Sequence, residues 1–402
     1  MFKENDHGWK KNLIILVIAQ FIAMVGMSSC VPFLPIYVRQ LGITNIHEAQ
    51  FWSSIVFAGP YVLSILTVPL WGSLGDRYGR KIMIVRAIIG LAIAMFLMGF
   101  ARNVWDLFLL RVLQGAVSGF IAASLAFVSA ETPQDRSGFA IGMLQSAQSA
   151  GNILGPLAGG IFSDLFGIRP VFYIVALLCL ISGILIIFFV SENKFIPIDS
   201  EKSSIRMNLK YIFSRSELRM LILLVIITQG GIHFTSPVFP YFVESLGAPM
   251  EYLSSITGFL VGTVGIFSII YSPKWGRRND TKPYKKTLIV SSGIVGAFTL
   301  LQLLVPHWIV LFPLRVIIGI FVGAIVPTIY SALSKRADSG NVGGVMGIAS
   351  SGNLLGALIS FLLCAVISSQ FGFKIIFILS GITLLSVIPI LVSFKQTESQ
   401  HS

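Results

Sequence analysis

Across 402 residues, 55% are hydrophobic and 11% charged, less than half the roughly 25% charged share of a water-soluble domain. Apolar runs long enough to cross about 30 Å of hydrocarbon recur from end to end without the strict alternation of short strands, which excludes a soluble globular fold and a β-barrel. The net charge of +12 is no nucleic-acid footprint, because its placement is one-sided. Of 29 Lys and Arg, four (Arg39, Arg102, Arg169, Lys374) lie in loops or at span ends on one side, and two (Arg111, Arg315) more than one turn inside spans. The rest gather on or near the other side, which the positive-inside rule makes cytoplasmic, facing anionic headgroups.

Twelve spans are predicted in chain order, at roughly 12–38, 50–70, 82–101, 106–130, 138–162, 170–190, 217–243, 252–272, 287–305, 308–333, 342–366 and 373–394. The first follows Lys10-Lys11, as a signal peptide would, but runs well past the usual 7–15-residue apolar core, so it reads as a retained span. Met27-Ser28-Ser29-Cys30 only faintly resembles a lipoprotein cleavage site, since the apolar run continues through it. Cys30, Cys179 and Cys364 fall inside spans at unrelated spacings, so neither a disulfide framework nor a metal site is expected. Within span one, Gln20, Met24 and Ser28 share a helical face.

Between spans two and three lies Trp71-Gly72-Ser73-Leu74-Gly75-Asp76-Arg77-Tyr78-Gly79-Arg80-Lys81. Gly72 and Gly79 suit a tight turn, Asp76 is placed to cap or face a helix N-terminus, and Arg80 and Lys81 put cations at the rim. In span four, Arg111, Gln114 and Ser118 fall at i, i+3 and i+7 on one face. A cation in hydrocarbon faces a cavity or a partner, or snorkels to the nearer interface. Glu131 ends that span. Span five carries Gly151-Asn152-Ile153-Leu154-Gly155-Pro156-Leu157-Ala158-Gly159-Gly160, small residues four apart that permit close helix approach and a proline that permits a kink. Gln145, Gln148 and Asn152 share one of its faces.

The polar stretch 191–216 divides the chain into an N-terminal bundle (1–190), a cytoplasmic linker and a C-terminal bundle (217–402); Ile205 to Phe213 suits a short amphipathic helix. In span seven, Gln229, His233 and Ser236 share a face, and His233 is the one in-span group that titrates near neutral pH. The second half then repeats the first. At an offset of 204, Trp71-Gly72, Asp76, Lys81, Arg111, Gly115 and Gly119 return as Trp275-Gly276, Asp280, Lys285, Arg315, Gly319 and Gly323. At an offset of 205, Pro35, Leu41-Gly42 and Phe166-Gly167 return as Pro240, Leu246-Gly247 and Phe371-Gly372. Two copies of one membrane bundle make an arrangement typical of transporters. The copy is imperfect: Gly79, Arg80 and Glu131 become Pro283, Tyr284 and Lys335, and span eleven keeps Gly352-Asn353-Leu354-Leu355-Gly356 but has Ala357 in place of the proline.

Taken together, the loop signature, the Leu110–Gly115 stretch around Arg111 and the span-five motif resemble the major facilitator superfamily, in particular its twelve-span drug:proton antiporter branch; Ile168-Arg169-Pro170-Val171-Phe172 at the start of span six adds to the likeness. The resemblance implies an all-α polytopic fold of two pseudo-symmetric six-helix bundles. It also implies a gating cluster of Asp76 and Arg80 with Glu131, supported by Gly72, Arg77 and Gly79, and an antiporter motif at Gly151, Gly155, Pro156 and Gly159. Arg111, Gln114, Gln20, Gln145, Gln148, Asn152, Gln229, His233 and Arg315 become candidates for the cavity or for coupling. All 17 Asp and Glu lie in loops or at span ends, so neutral, zwitterionic or anionic amphiphiles fit better than cations alone, and the proton carrier is sought among Asp76, Glu131, His233 and Asp106.

The expected function is secondary export of small amphiphilic compounds against protons. The setting is the plasma (bacterial inner) membrane, with both termini cytoplasmic, a monomer in the lipid bilayer and no cofactor. No nucleophile–His–acid set, metal cluster or G-x-x-x-x-G-K-[ST] sequence points to an enzyme or to direct use of ATP. The alternatives are a dedicated exporter of one metabolite, siderophore or lipid, and a non-transporting membrane receptor.

Overall fold

A computed structural model describes residues 8–192, 205–281, 283–338 and 341–394, and among these every element is helical. Span one is Gly8–Ser29 with Leu34–Gln40, span two Ile46–Tyr78, span three Arg80–Met98, span four Val104–Ala116 with Phe120–Glu131, span five Ser137–Phe166 and span six Ile168–Phe189. After the helix Ile205–Ser214, span seven is Ser216–His233 with Phe239–Ser245, span eight Leu253–Thr281, span nine Tyr284–Leu301, span ten Leu311–Arg336, span eleven Val342–Phe371 and span twelve Phe373–Leu385 with Val387–Ser393. Eleven of the twelve are long and apolar enough to cross a bilayer by length and composition. Ser137–Phe166 is the exception, because Gln145, Gln148, Asn152 and its glycines and serines dilute its hydropathy. Of the linker, 193–204 (with Lys194, Asp199, Glu201 and Lys202) lie outside the described residues, and the expected short helix is present.

The repeat is visible in the backbone. Gly42 and Gly247 have φ of 102° and 81°, and Gly167 and Gly372 have 84° and 77°, so both pairs turn the chain in the left-handed region that glycine favours. Trp71 Nε1 donates to Ala116 O and Trp275 Nε1 to Ile320 O, each at 2.8 Å and each 45 residues apart. The copies diverge at span four. Its helix stops at Ala116 and restarts at Phe120 after Gly119 (φ 113°), whereas span ten runs unbroken through Gly323. Spans one and seven are both interrupted, at 30–33 and 234–238.

In lipid, helices gain nothing from burying apolar surface against one another, so association rests on close packing and internal hydrogen bonds. Span one packs on span five, three on six, two on four, seven on eleven and nine on ten. The halves meet where span five lies on span eight and span two on span eleven. Large apolar side chains such as Leu66, Leu165 and Phe188 are exposed on the outer surface, as lipid contact requires.

Candidate functional site

Gly79 is the hinge of the 2–3 loop. Its φ of 106° breaks the chain between spans two and three, and an added Cβ would lie 3.0 Å from Glu192 Oε2. Span three thus begins without a cap of its own, and the cap comes from the end of span six: Arg80 N–H donates to Glu192 Oε1 (2.9 Å) and Lys81 N–H to Oε2 (3.0 Å). A carboxylate at a helix N-terminus satisfies free amides and complements the dipole. Gly72, expected in a turn, instead sits inside the continuous helix Ile46–Tyr78 with open space beside it. Arg77 lies in the last turn of that helix, against the ring of Tyr78. Glu131 is buried at the end of span four (7% exposed). The side chains of Asp76 and Asp280 lie outside the described residues. Glu192→Ala is expected to lower the thermal midpoint of the purified protein by the loss of a cap, about 0.5–2 kcal/mol; an unchanged midpoint would remove this role.

Arg86 lies in the second turn of span three and mends the break in span four. Its Nη1 donates to Val117 O (2.8 Å) and Ser118 O (3.1 Å), and its guanidinium lies 3.6 Å over the Trp71 ring. Position 290 of the second half is Val290, beside a span ten that needs no mending. The second loop is held by other means: Tyr284 Oη donates to Glu217 Oε1 (3.1 Å), and Arg336 pairs with Glu217 and covers the Tyr284 ring.

Arg111 does not snorkel. It is 7% exposed, its Nε donates to Val56 O (3.2 Å) and its Nη1 to Gln114 Oε1 (2.7 Å). The expected i, i+7 stripe to Ser118 fails because the helix ends between them, and Ser118 meets Ser64 across span two (3.1 Å). Asp106 accepts from Arg102 N–H (3.1 Å), and its own N–H donates to Asn103 (2.9 Å), so it serves the start of span four.

Gly151, Gly155 and Gly159 let span five lie directly on span one. An added Cβ would overlap Met24 Cβ and Phe21 O at the first, Ser28 Oγ and Val25 O at the second, and Ser29 O at the third. On the next face, the carbonyl of Pro156 lies against Gly258, Leu157 against Gly262 and Ile153 against Gly265, all of span eight. The motif is therefore a seam joining spans one, five and eight. Met24 and Ser28 belong to it, with Ser28 Oγ donating to Met24 O (2.6 Å) and Gly151 O (3.0 Å), so they pack between helices rather than line a cavity. Gln20 is buried with its Oε1 unpartnered. Gln145 and Asn152 are exposed and Gln148 half-buried on the face of span five between those toward spans one and eight. Gln229 is buried; His233 is half-buried, its ring 5.9 Å from that of Phe361, and Ser236 falls in the turn beyond the helix.

The halves are fastened at the cation-poor face. Arg39 Nη1 pairs with Glu244 Oε2 at 2.7 Å. Tyr241 Oη lies 2.8 Å from Ser53 Oγ and 3.0 Å from Pro35 O, and Asp164 Oδ2 accepts from Ser255 N–H at 2.7 Å. Below them, Phe361 packs on Phe57 and Tyr61, with ring centroids 5.6 and 5.4 Å apart. At the cation-rich face, the bonds of Glu192 to Arg80 and Lys81, of Arg215 to Asp338 and of Tyr284 to Glu217 each stay within one half. Glu192, Arg86 and Asp164 were missed from sequence. An acid two residues outside an apolar run, a cation one turn inside one, and an acid one turn beyond a glycine motif are the signals that mark them.

The profile of the Major Facilitator Superfamily matches residues 16–279 and 221–402. The chain is 31% identical over 379 residues to multidrug resistance protein MdtG of Proteus mirabilis, covering 93% of each. It is 33% identical over 389 residues to MdtG of Salmonella typhimurium, covering 94% of each. Among solved structures, the nucleoside transporter NupG superposes with a TM-score of 0.79 at 13% identity, over 95% of this chain and all of that one. A bacterial homolog of the human lysosomal transporter Spinster, in an inward-facing and unoccupied conformation, gives 0.76 at 13% identity, over 96% of this chain and 95% of that one. At that identity the likeness is one of fold.

Proposed function

Because the chain belongs to the Major Facilitator Superfamily, and so is a membrane transporter rather than an enzyme, we propose that it exports small amphiphilic compounds, of the multidrug-efflux type, by alternating access driven by inward proton flow. The observation that carries the reading is the seam of span five. Its glycines bring the helix onto span one of its own half and span eight of the other, so a change at the seam changes how the halves meet. Full-length similarity to multidrug resistance proteins supports the substrate class. The fastened cation-poor face fits a carrier resting with its other face free to open, and positive charge orients that other face, with both termini, toward the cytoplasm of a bacterial inner membrane. The protein is proposed to act as a monomer, of two six-span bundles joined by the 191–216 linker. Asp76, Arg80 and Glu131 form the gate on the cytoplasmic side, and Glu131 exchanges the proton as that gate opens.

The test is substrate-dependent proton flux in liposomes, with fluorescent amphiphiles of several charges. Asp76→Asn is expected to stop transport with insertion near normal, while Asp280→Asn does less because the second loop is held through Glu217, Tyr284 and Arg336. Movement of a single compound class would make the chain a dedicated exporter, and no movement of any compound would sink the reading.

A further inference from the structure

Arg111 and Arg315 occupy matching places in the two halves, 204 residues apart, but their surroundings differ. The Arg111 guanidinium is satisfied within the protein, by Val56 O and Gln114. At the position matching Gln114 the second half has Ile318. Arg315 makes no hydrogen bond or ion pair among the described residues. Its Nε and Nη2 are buried and unpartnered, and the guanidinium lies 3.7 Å over the ring of Phe239. Phe239 and Leu311, the latter one turn away on span ten, belong to an apolar cluster with Phe234, Leu260 and Phe377. Two acids at this end are engaged elsewhere: Glu244 with Arg39 and Asp164 with the amide of Ser255. A cation in such a place is expensive unless an anion joins it.

The two unpartnered nitrogens form one edge of the guanidinium, the edge that grips a carboxylate, sulfonate or phosphate through two parallel hydrogen bonds. Phe239 fixes the plane of the group, and the surrounding rings offer an apolar wall. Arg315 as a residue is half-buried while Nε and Nη2 themselves are enclosed, so an anion reaches that edge as the surrounding side chains give way. We propose that Arg315 is an anion-binding subsite that takes the acidic end of an amphiphilic substrate, with Phe239 orienting it. The ligand's being a transported substrate rests on the function proposed above; the anion site itself does not.

The test is equilibrium binding of a fluorescent naphthalenesulfonate, and of its uncharged sulfonamide counterpart, to the full-length protein in phosphatidylcholine nanodiscs, where no anionic lipid competes. Arg315→Gln is expected to weaken sulfonate binding at least tenfold and to leave the sulfonamide within twofold. Arg315→Lys, which keeps the charge but not the fork, is expected to fall between. Equal loss of both probes would make Arg315 a packing residue and overturn the proposal, as would undiminished sulfonate binding in Arg315→Gln or no sulfonate binding by the wild type. Transport of the same probes in liposomes separates the two readings: selective binding without movement denies that the bound anion is a transported substrate and leaves the subsite.

Discussion

Gly155→Leu is expected to cost the protein its folded, membrane-extracted form, while Gly142→Leu in the same helix is tolerated. At Gly155 even a methyl group would overlap Ser28 Oγ and the carbonyl oxygen of Val25, and a backbone carbonyl cannot rotate away as a side chain can. Overpacking of a well-packed site costs about 1–3 kcal/mol when the neighbours yield, and more when they do not. Here spans one and five would have to part, taking with them the bond from Ser28 Oγ to Gly151 O. Gly142 has nothing within 4 Å of its would-be Cβ. Size-exclusion profiles and thermal midpoints of the two variants make the comparison, and equal behaviour at both positions would show that close approach at the seam is not what the glycines provide.

Asp164→Ala is expected to loosen the cation-poor face by roughly tenfold in the ratio of open to closed forms, with Asp164→Asn intermediate. The carboxylate belongs to the first half and the amide it accepts, that of Ser255, to the first turn of span eight in the second. Hydrogen bonds to charged groups contribute about 1.5–3 kcal/mol, and the half-buried setting of Asp164 argues for the lower end; about 1.4 kcal/mol is tenfold. The readout is maleimide labelling of Ala49→Cys in a cysteine-free background, since Ala49 is fully buried beneath Tyr241. Labelling as slow in Asp164→Ala as in the parent would show that Asp164 does not hold the face closed.

Span number, the repeat and the membrane setting were legible because hydropathy and register survive without knowledge of packing. The interruptions at 30–33, 117–119 and 234–238 were not, because each lies within an apolar run and owes its stability to partners elsewhere, as the carbonyls of Val117 and Ser118 owe theirs to Arg86. Polar stripes were only half readable. Periodicity placed Gln145 and Asn152 on an exposed face, but Met24 and Ser28, with the same spacing, pack into a helix seam. Spacing reports which residues share a face and leaves open what that face meets. Gly79 was legible as a hinge, whereas the acid that caps span three comes from span six, more than a hundred residues away.

Arg39 and Glu244 stand 205 residues apart, the interval that relates Leu41-Gly42 to Leu246-Gly247, so they are one position read in each half. A residue on a two-fold axis meets its own copy. Were the halves identical there, two arginines or two glutamates would face each other at 2.7 Å, and repulsion would pry the face apart. Closure at this point therefore depends on the duplicates having stopped being duplicates. A chain assembled from two first halves would inherit every helix of the fold and repel itself at Arg39, whereas one carrying Arg39→Glu together with Glu244→Arg would simply exchange the roles of its halves.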